Sequence, residues 1–178
     1  VAVHCVALSD HDIELLAKSG ASVVHCPVSN MRLGCGASPV VKLLKAGVNV
    51  ALGTDGAASA CSLSMFEQMR TAGLIAKGFS QDPTQLTVNQ IIRMATINGA
   101  NALKLDREVG SLAVGKFADL AVIDMSQLVT MPVLDVLSNV IYAVEAQCIH
   151  QVWASGCLVA NIQQEKLLRP DRGKFYKK

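Results

Sequence analysis

Three residues able to bind a metal or move a proton, His4, His25 and Asp55, each close an apolar run: Val1–Val3, Ala21–Val24, and Val48–Leu52 followed by Gly53-Thr54. Asp55 can serve as a hard oxygen ligand to a divalent metal and, through the same carboxylate, take a proton from the metal's water. His4 can hydrogen-bond an attacking hydroxide or a developing oxyanion. His25, with Ser29 and Asn30 just beyond it, offers donors and acceptors suited to a heterocycle. Ser59, four residues after Asp55, can bond a ring nitrogen or cap the segment that follows. On paper, one carboxylate and two imidazoles also make a three-ligand metal site, although no Glu follows nearby as a general acid. A strand-end histidine is commonly structural and Asp55-Gly56 is an ordinary turn pair, so the weight rests on all three endings converging. His11 and His150 read as surface or structural residues, and Cys35 and Cys61 have no adjacent base to activate them.

Convergence needs elements to produce it. The run ends fall 21 and 30 residues apart, which leaves room each time for a turn, a helix and a second turn. That is a β/α rhythm with chemistry at the carboxyl ends of parallel strands, where the ends form one rim. Helix signals sit where this reading needs them. Ser9 can cap a helix through Ile13, Leu15 and Leu16 that stops at Gly20, and Ser38-Pro39 can start another that Gly47 closes. Ser64 with Glu67, and Thr87 with Gln90, have capping-box spacing ahead of Phe66, Met69 and Gly73 and of Ile91, Ile92 and Met94. The character changes near residue 106, where Gly110-Ser111-Leu112 and Gly115-Lys116 punctuate short segments. A buried strand is expected over Ala118–Ile123, another over Cys148–Ala154, and a turn at Ser155-Gly156 leads into Cys157–Val159. A short helix is expected around Asp135–Val144 and another from Ile162 to Leu168. The division expected is 1–108 and 109–178, an α/β part and a small β-rich part.

Composition bounds the function classes. Of 178 residues, 51% are hydrophobic and 17% charged, with a mean hydropathy of +0.38. No apolar run approaches the roughly 18 residues that span a bilayer, so the excess points to strands buried on both faces rather than to a membrane. A net charge of +2 gives no footprint for nucleic acid, and the basic stretch from Arg169 to Lys178 reads as a solvated end. The six cysteines form no CxxC pair, which suggests buried free thiols in a reducing, cytoplasmic compartment. The chain begins at Val1, inside the first expected strand and without a basic leader, so a preceding part is expected.

Several stretches resemble the amidohydrolase superfamily, specifically its cyclic-amidine deaminase and chlorohydrolase branch. They are Val3-His4-Cys5, His25-Cys26-Pro27-Val28-Ser29-Asn30, and Leu52-Gly53-Thr54-Asp55-Gly56-Ala57-Ala58-Ser59. Met65-Phe66-Glu67-Gln68-Met69-Arg70, Met94-Ala95-Thr96 with Gly99-Ala100, and Gly110-Ser111-Leu112 through Ala118-Asp119-Leu120 add to it, so the likeness spans about residues 1 to 160. The resemblance implies the C-terminal portion of a distorted TIM (β/α)8 barrel, strands six to eight with their helices, followed by part of a small β-sandwich. It implies one divalent metal, zinc ahead of iron, in a homo-oligomeric parent that deaminates an adenine-like ring of the 5-methylthioadenosine or S-adenosylhomocysteine type. On this view Asp55 is the metal ligand that also shuttles the proton and His4 contacts the hydroxide or substrate. Ser59 touches the base, and His25, Ser29 and Asn30 line the rim.

The branch also carries an HxH pair on its first barrel strand and, on its fifth, a metal-binding His followed three residues later by the acid/base Glu. The chain has no HxH pair, and its one His-x-x-Glu spacing, His11 to Glu14, falls where a helix rather than a strand is expected, so by itself it is expected neither to hold the metal tightly nor to turn over substrate. Guanine deaminases and triazine chlorohydrolases share the pattern and are alternatives. A further alternative is a non-catalytic domain that depends on a partner to cover an open strand edge.

Overall fold

The computed structural model describes residues 1–161 and 166–167, and the chain divides into two compact units between Leu105 and Asp106. The first is α/β. Its strands β1 (Ala2–Val3), β2 (Ser22–His25) and β3 (Asn49–Leu52) form a parallel sheet in the order β1-β2-β3. Val23 pairs with both Ala2 and Val50, and His25 with Leu52. Val23 and Val50 are completely buried, as are Leu43, Ile91 and Met94 from the flanking helices. This fits a sheet covered on both faces and explains the high apolar content.

Between β1 and β2 runs α1 (Asp10–Ser19), opened by a full capping box between Ser9 and Asp12 and closed by Gly20 at φ 67°. After β2 come α2 (Pro27–Arg32) and α3 (Val40–Lys45). The expected start of α3 is corrected: Pro39 is the residue before the helix, and the Ser38 hydroxyl does not cap but donates to the Cys5 carbonyl at 3.1 Å. That bond ties the entry of α3 to the end of β1, a long-range demand that overrides local capping. After β3 follow α4 (Ala57–Ala60), α5 (Met65–Ser80), α6 (Val88–Ala95) and α7 (Ile97–Leu103). Ser64 accepts from the Glu67 amide, and Thr87 forms both halves of a capping box with Gln90. Asn98 of α7 donates to the Val50 carbonyl at 2.8 Å, while Asn49 donates to the Asn98 carbonyl at 3.0 Å, pinning α7 to β3.

The second unit holds an antiparallel sheet in the order β4-β5-β6-β7, from β4 (Leu120–Ile123), β5 (Ile149–Ala154), β6 (Cys157–Asn161) and β7 (Lys166–Leu167). Helix α8 (Val136–Tyr142) is capped by Asp135, whose carboxylate accepts from Ser138. Ser155 and Gly156 turn the β5–β6 hairpin, both at positive φ as a two-residue turn of this hand requires. Two expectations are corrected here. The strand over Leu120–Ile123 is not buried, since Ala121 and Val122 are exposed at an edge of the sheet. Lys166–Leu167, expected in a helix, pair instead with Asn161 and Ala160, whose free edge offers the backbone partners a helix would otherwise supply. The rest of the Ile162–Leu168 segment and the basic stretch from Arg169 lie outside the described residues.

Among the described residues no helix is long and apolar enough to cross a membrane. The cysteines are free, but only Cys26 and Cys148 are fully buried; Cys35 and Cys61 are exposed because both sit on turns after short helices, contrary to the expectation of buried thiols throughout.

Candidate active site

Parallel register carries the carboxyl ends of β1, β2 and β3 to one edge of the sheet. The His4 amide donates to the Val24 carbonyl and the Gly53 amide to the His25 carbonyl, each at 2.9 Å, extending the ladders past the last strand residues. Just beyond, the backbone turns through the left-handed region at His4 (φ 68°), Cys5 (φ 51°) and Asp55 (φ 60°). Such a conformation costs a non-glycine residue roughly 1–2 kcal/mol, and Asp and His are among those that tolerate it best. Gly53 answers a different need, since a Cβ there would sit 2.7 Å from Val24 Cγ1 and 3.2 Å from Cys26 Sγ.

These turns aim two of the three run-ending residues at each other. His4 Nε2 stands 4.0 Å from Asp55 Oδ2, with the two side chains 43% and 28% exposed. Helix α2 supports both from below. The Ser29 hydroxyl donates to Asp55 Oδ2 at 2.6 Å, and Asn30 Oδ1 lies 2.9 Å from His4 Nδ1. Both α2 residues are almost completely buried, at 1% exposure. The Gly56 amide donates to Asp55 Oδ1 at 2.7 Å. Together these hold the Asp55 carboxyl below its ordinary range, the Ser29 hydroxyl contributing most, then the Gly56 amide, with the charge of His4 and the Ser59 hydroxyl adding less. Ser59 lies on the short helix α4, four residues beyond Asp55. Arg32, which carries no motif that would single it out in the sequence, reaches from the end of α2 to the Ser59 and Ala58 carbonyls at 3.1 and 3.5 Å. Its only local signal is a cation at the end of a short helix, and its partner lies 27 residues away.

His25 does not join the pair as a third ligand. It is 1% exposed, its Nδ1 has no partner, and burial first, then the nearby charge of His4, pushes its pKa down to about 4. The imidazole is therefore neutral at physiological pH. It borders an apolar cavity of about 320 Å³ between α3 and α5, lined by Pro39, Val40, Ala72, Ile75 and Phe79, away from the His4–Asp55 pair. Cys26 follows it into the interior, where burial foremost and then the Asp55 charge push its thiol up, opposed by a bond from the Asp55 amide. A thiol in that state is a packing group rather than a nucleophile.

The donor set fits one anchoring ligand better than a complete metal site. Asp55 supplies an ionised oxygen at an exposed rim, yet among the described residues no three His, Cys, Asp or Glu side chains gather closely enough to hold a metal ion. The three-ligand arrangement conceivable on paper fails because β2 turns His25 into the core.

The model of the amidohydrolase family matches residues 1–159. A 5-methylthioadenosine/S-adenosylhomocysteine deaminase of Moorella thermoacetica is 47% identical over 156 residues, covering 88% of this chain and 36% of its own length. A 5'-deoxyadenosine deaminase of Methanosarcina barkeri is 46% identical over 156 residues, again 88% of this chain and 36% of the relative. Among solved structures, an adenosine deaminase from Xanthomonas campestris with bound Zn superposes with a TM-score of 0.90 at 42% identity, over 97% of this chain and 39% of that one. The chain thus spans well under half the length of the proteins it matches.

Proposed function

The chain belongs to the amidohydrolase family, and on that premise we propose that it is the C-terminal part of a metal-dependent enzyme that hydrolytically deaminates an adenine-like ring. The substrates we infer are 5-methylthioadenosine, S-adenosylhomocysteine or a related 5'-substituted adenosine, as the names of two relatives suggest. Guanine and triazine substrates are less favoured, because those names concern adenine nucleosides. In this reading β1, β2 and β3 are strands six to eight of a distorted TIM barrel, residues 1–108 its last part, and residues 109–178 part of a β-sandwich. The parent is a cytoplasmic homo-oligomer.

The observation that carries the proposal is the approach of His4 Nε2 to Asp55 Oδ2 at the carboxyl ends of parallel strands, with Ser29 bonded to the same carboxylate oxygen. One divalent metal, zinc by likeness to the zinc-bound neighbour, supplies the Lewis acidity that makes water nucleophilic near neutral pH. Asp55 is the residue of this chain that would hold it. Kept ionised by Ser29 and Gly56, Asp55 takes the proton of the attacking water and passes it to the departing amine. His4, fixed at Nδ1 by Asn30, presents Nε2 to the oxygen that adds to the ring carbon. Ser59 and the rim of α2 border the base. The water oxygen becomes the ring carbonyl, the carbon–nitrogen bond breaks and ammonia leaves. The proton for the ring nitrogen comes from a glutamate that the family resemblance assigns to the preceding part of the enzyme, and that glutamate takes back the second proton of the water as the carbonyl forms.

The test is ammonia release by the protein expressed from the complete reading frame, with 5-methylthioadenosine, S-adenosylhomocysteine, guanine and an aminated triazine as substrates. Release from the adenine nucleosides supports the proposal. Release from guanine or triazine alone moves the substrate, and no release from any favours a partner-dependent, non-catalytic domain.

A further inference from the structure

We propose that Gln68 is a positioning residue that anchors α2 and, through it, sets His4 and Asp55; the inference rests on the deaminase reading above. Helix α2 has only six residues and no side-chain cap of its own, since Cys26 precedes it without capping and Pro27 at its first position lacks an N–H. The first amide free to donate is that of Val28. It donates to Oε1 of Gln68, 3.3 Å away and 40 residues further along the chain. Gln68 lies on α5, is completely buried, and its Nε2 has no partner. Its polar value in the interior therefore rests on the oxygen.

A buried amide with one end unpartnered is costly, by about 1–3 kcal/mol for the unsatisfied group. Packing alone would favour an apolar residue at this position. What Oε1 secures is the start of the short element whose next residues, Ser29 and Asn30, bond Asp55 Oδ2 at 2.6 Å and His4 Nδ1 at 2.9 Å. A shift of α2 along its axis would move both bonds together. Gln68 makes no hydrogen bond to His4 or Asp55; its bonded link to them runs through this helix.

The experiment uses the complete protein and three forms: wild type, Gln68→Met, which keeps the volume and removes the acceptor, and Gln68→Glu, which keeps an acceptor oxygen. Steady-state deamination is read together with thermal unfolding and hydrogen exchange at the amides of Val28 to Arg32. The expected result is kcat lower by roughly 10- to 100-fold in Gln68→Met with KM within about twofold. Amide exchange is faster in α2 but unchanged in α6, and activity returns toward wild type in Gln68→Glu. Wild-type kcat in a folded Gln68→Met protein overturns the proposal, as does a loss that tracks global unfolding with no selective change in α2. Should the wild type show no deamination, the functional reading falls and the exchange arm decides alone: unchanged α2 protection in Gln68→Met rejects the anchoring role. Should Gln68→Glu fail to fold, the comparison of Gln68→Met with wild type decides between the same two outcomes.

Discussion

The Ser29 hydroxyl donates to Asp55 Oδ2 at 2.6 Å, the same oxygen that faces His4 Nε2 at 4.0 Å. One carboxylate oxygen is thereby shared between a neutral donor fixed in the core and an imidazole at the rim. The donor keeps the carboxylate ionised while leaving it open on the side where chemistry would take place.

Asp55→Asn removes the charge but suits the backbone, because Asn adopts the left-handed conformation at least as readily as Asp. We expect an unchanged fold and a loss in kcat of about 10²–10⁴-fold in the complete enzyme, the usual range for deleting a proton-transfer group. Circular dichroism alongside ammonia release checks both halves.

Asn30→Leu keeps the volume of a buried side chain whose Nδ2 has no partner and removes the bond to His4 Nδ1. The ring of His4 is then free to rotate. We expect kcat to fall by roughly 10- to 100-fold with little change in the melting temperature, and equal losses in His4→Asn and in the double variant, which would show that Asn30 acts through His4.

Gly53→Ala puts a methyl 2.7 Å from Val24 Cγ1, closer than real contacts allow, so the Val24 side chain or the strand ends must shift to admit it. The expected cost is about 1–3 kcal/mol of stability, read as a lower denaturant midpoint. A neutral effect would mean that the ends of β2 and β3 can part to admit the methyl.

These positions also show how much of the fold and the site is legible in the sequence. The three apolar runs are strands, and Ser9, Ser64 and Thr87 cap helices, because both signals are written locally in hydrophobic period and side-chain reach. Helix α2 has no such signal and Ser38 carries a misleading one, because Ser38 is claimed by the Cys5 carbonyl and α2 borrows its first bond from Gln68 on α5. His4 and Asp55 are legible as a pair, whereas the burial of His25 depends on the alternation of β2, which sends its side chain inward with Val23. The exposure of Ala121 and Val122 is hidden because an apolar run at an edge of a sheet looks like one at its centre.

His25 gives a pH dependence of definite sign. Its pKa falls from 6.5 to about 4 on folding, so the unfolded chain takes up a proton in acid that the folded one refuses. Its contribution to stability is fully present above about 6.5 and is lost as the pH falls towards about 4, amounting to about 3 kcal/mol over that window. Urea unfolding at stepped pH should show this loss in wild type and a shallower one in His25→Gln.

Asp55 is proposed as the proton-moving, metal-holding residue of an adenine-nucleoside deaminase, and one comparison tests that role most directly: ammonia release from 5-methylthioadenosine and S-adenosylhomocysteine by the complete wild-type protein and by Asp55→Asn, each with zinc supplied. The expected result is release by the wild type, its loss in Asp55→Asn, and less bound zinc in the variant. Deamination that persists in a folded Asp55→Asn protein with full zinc content would contradict it.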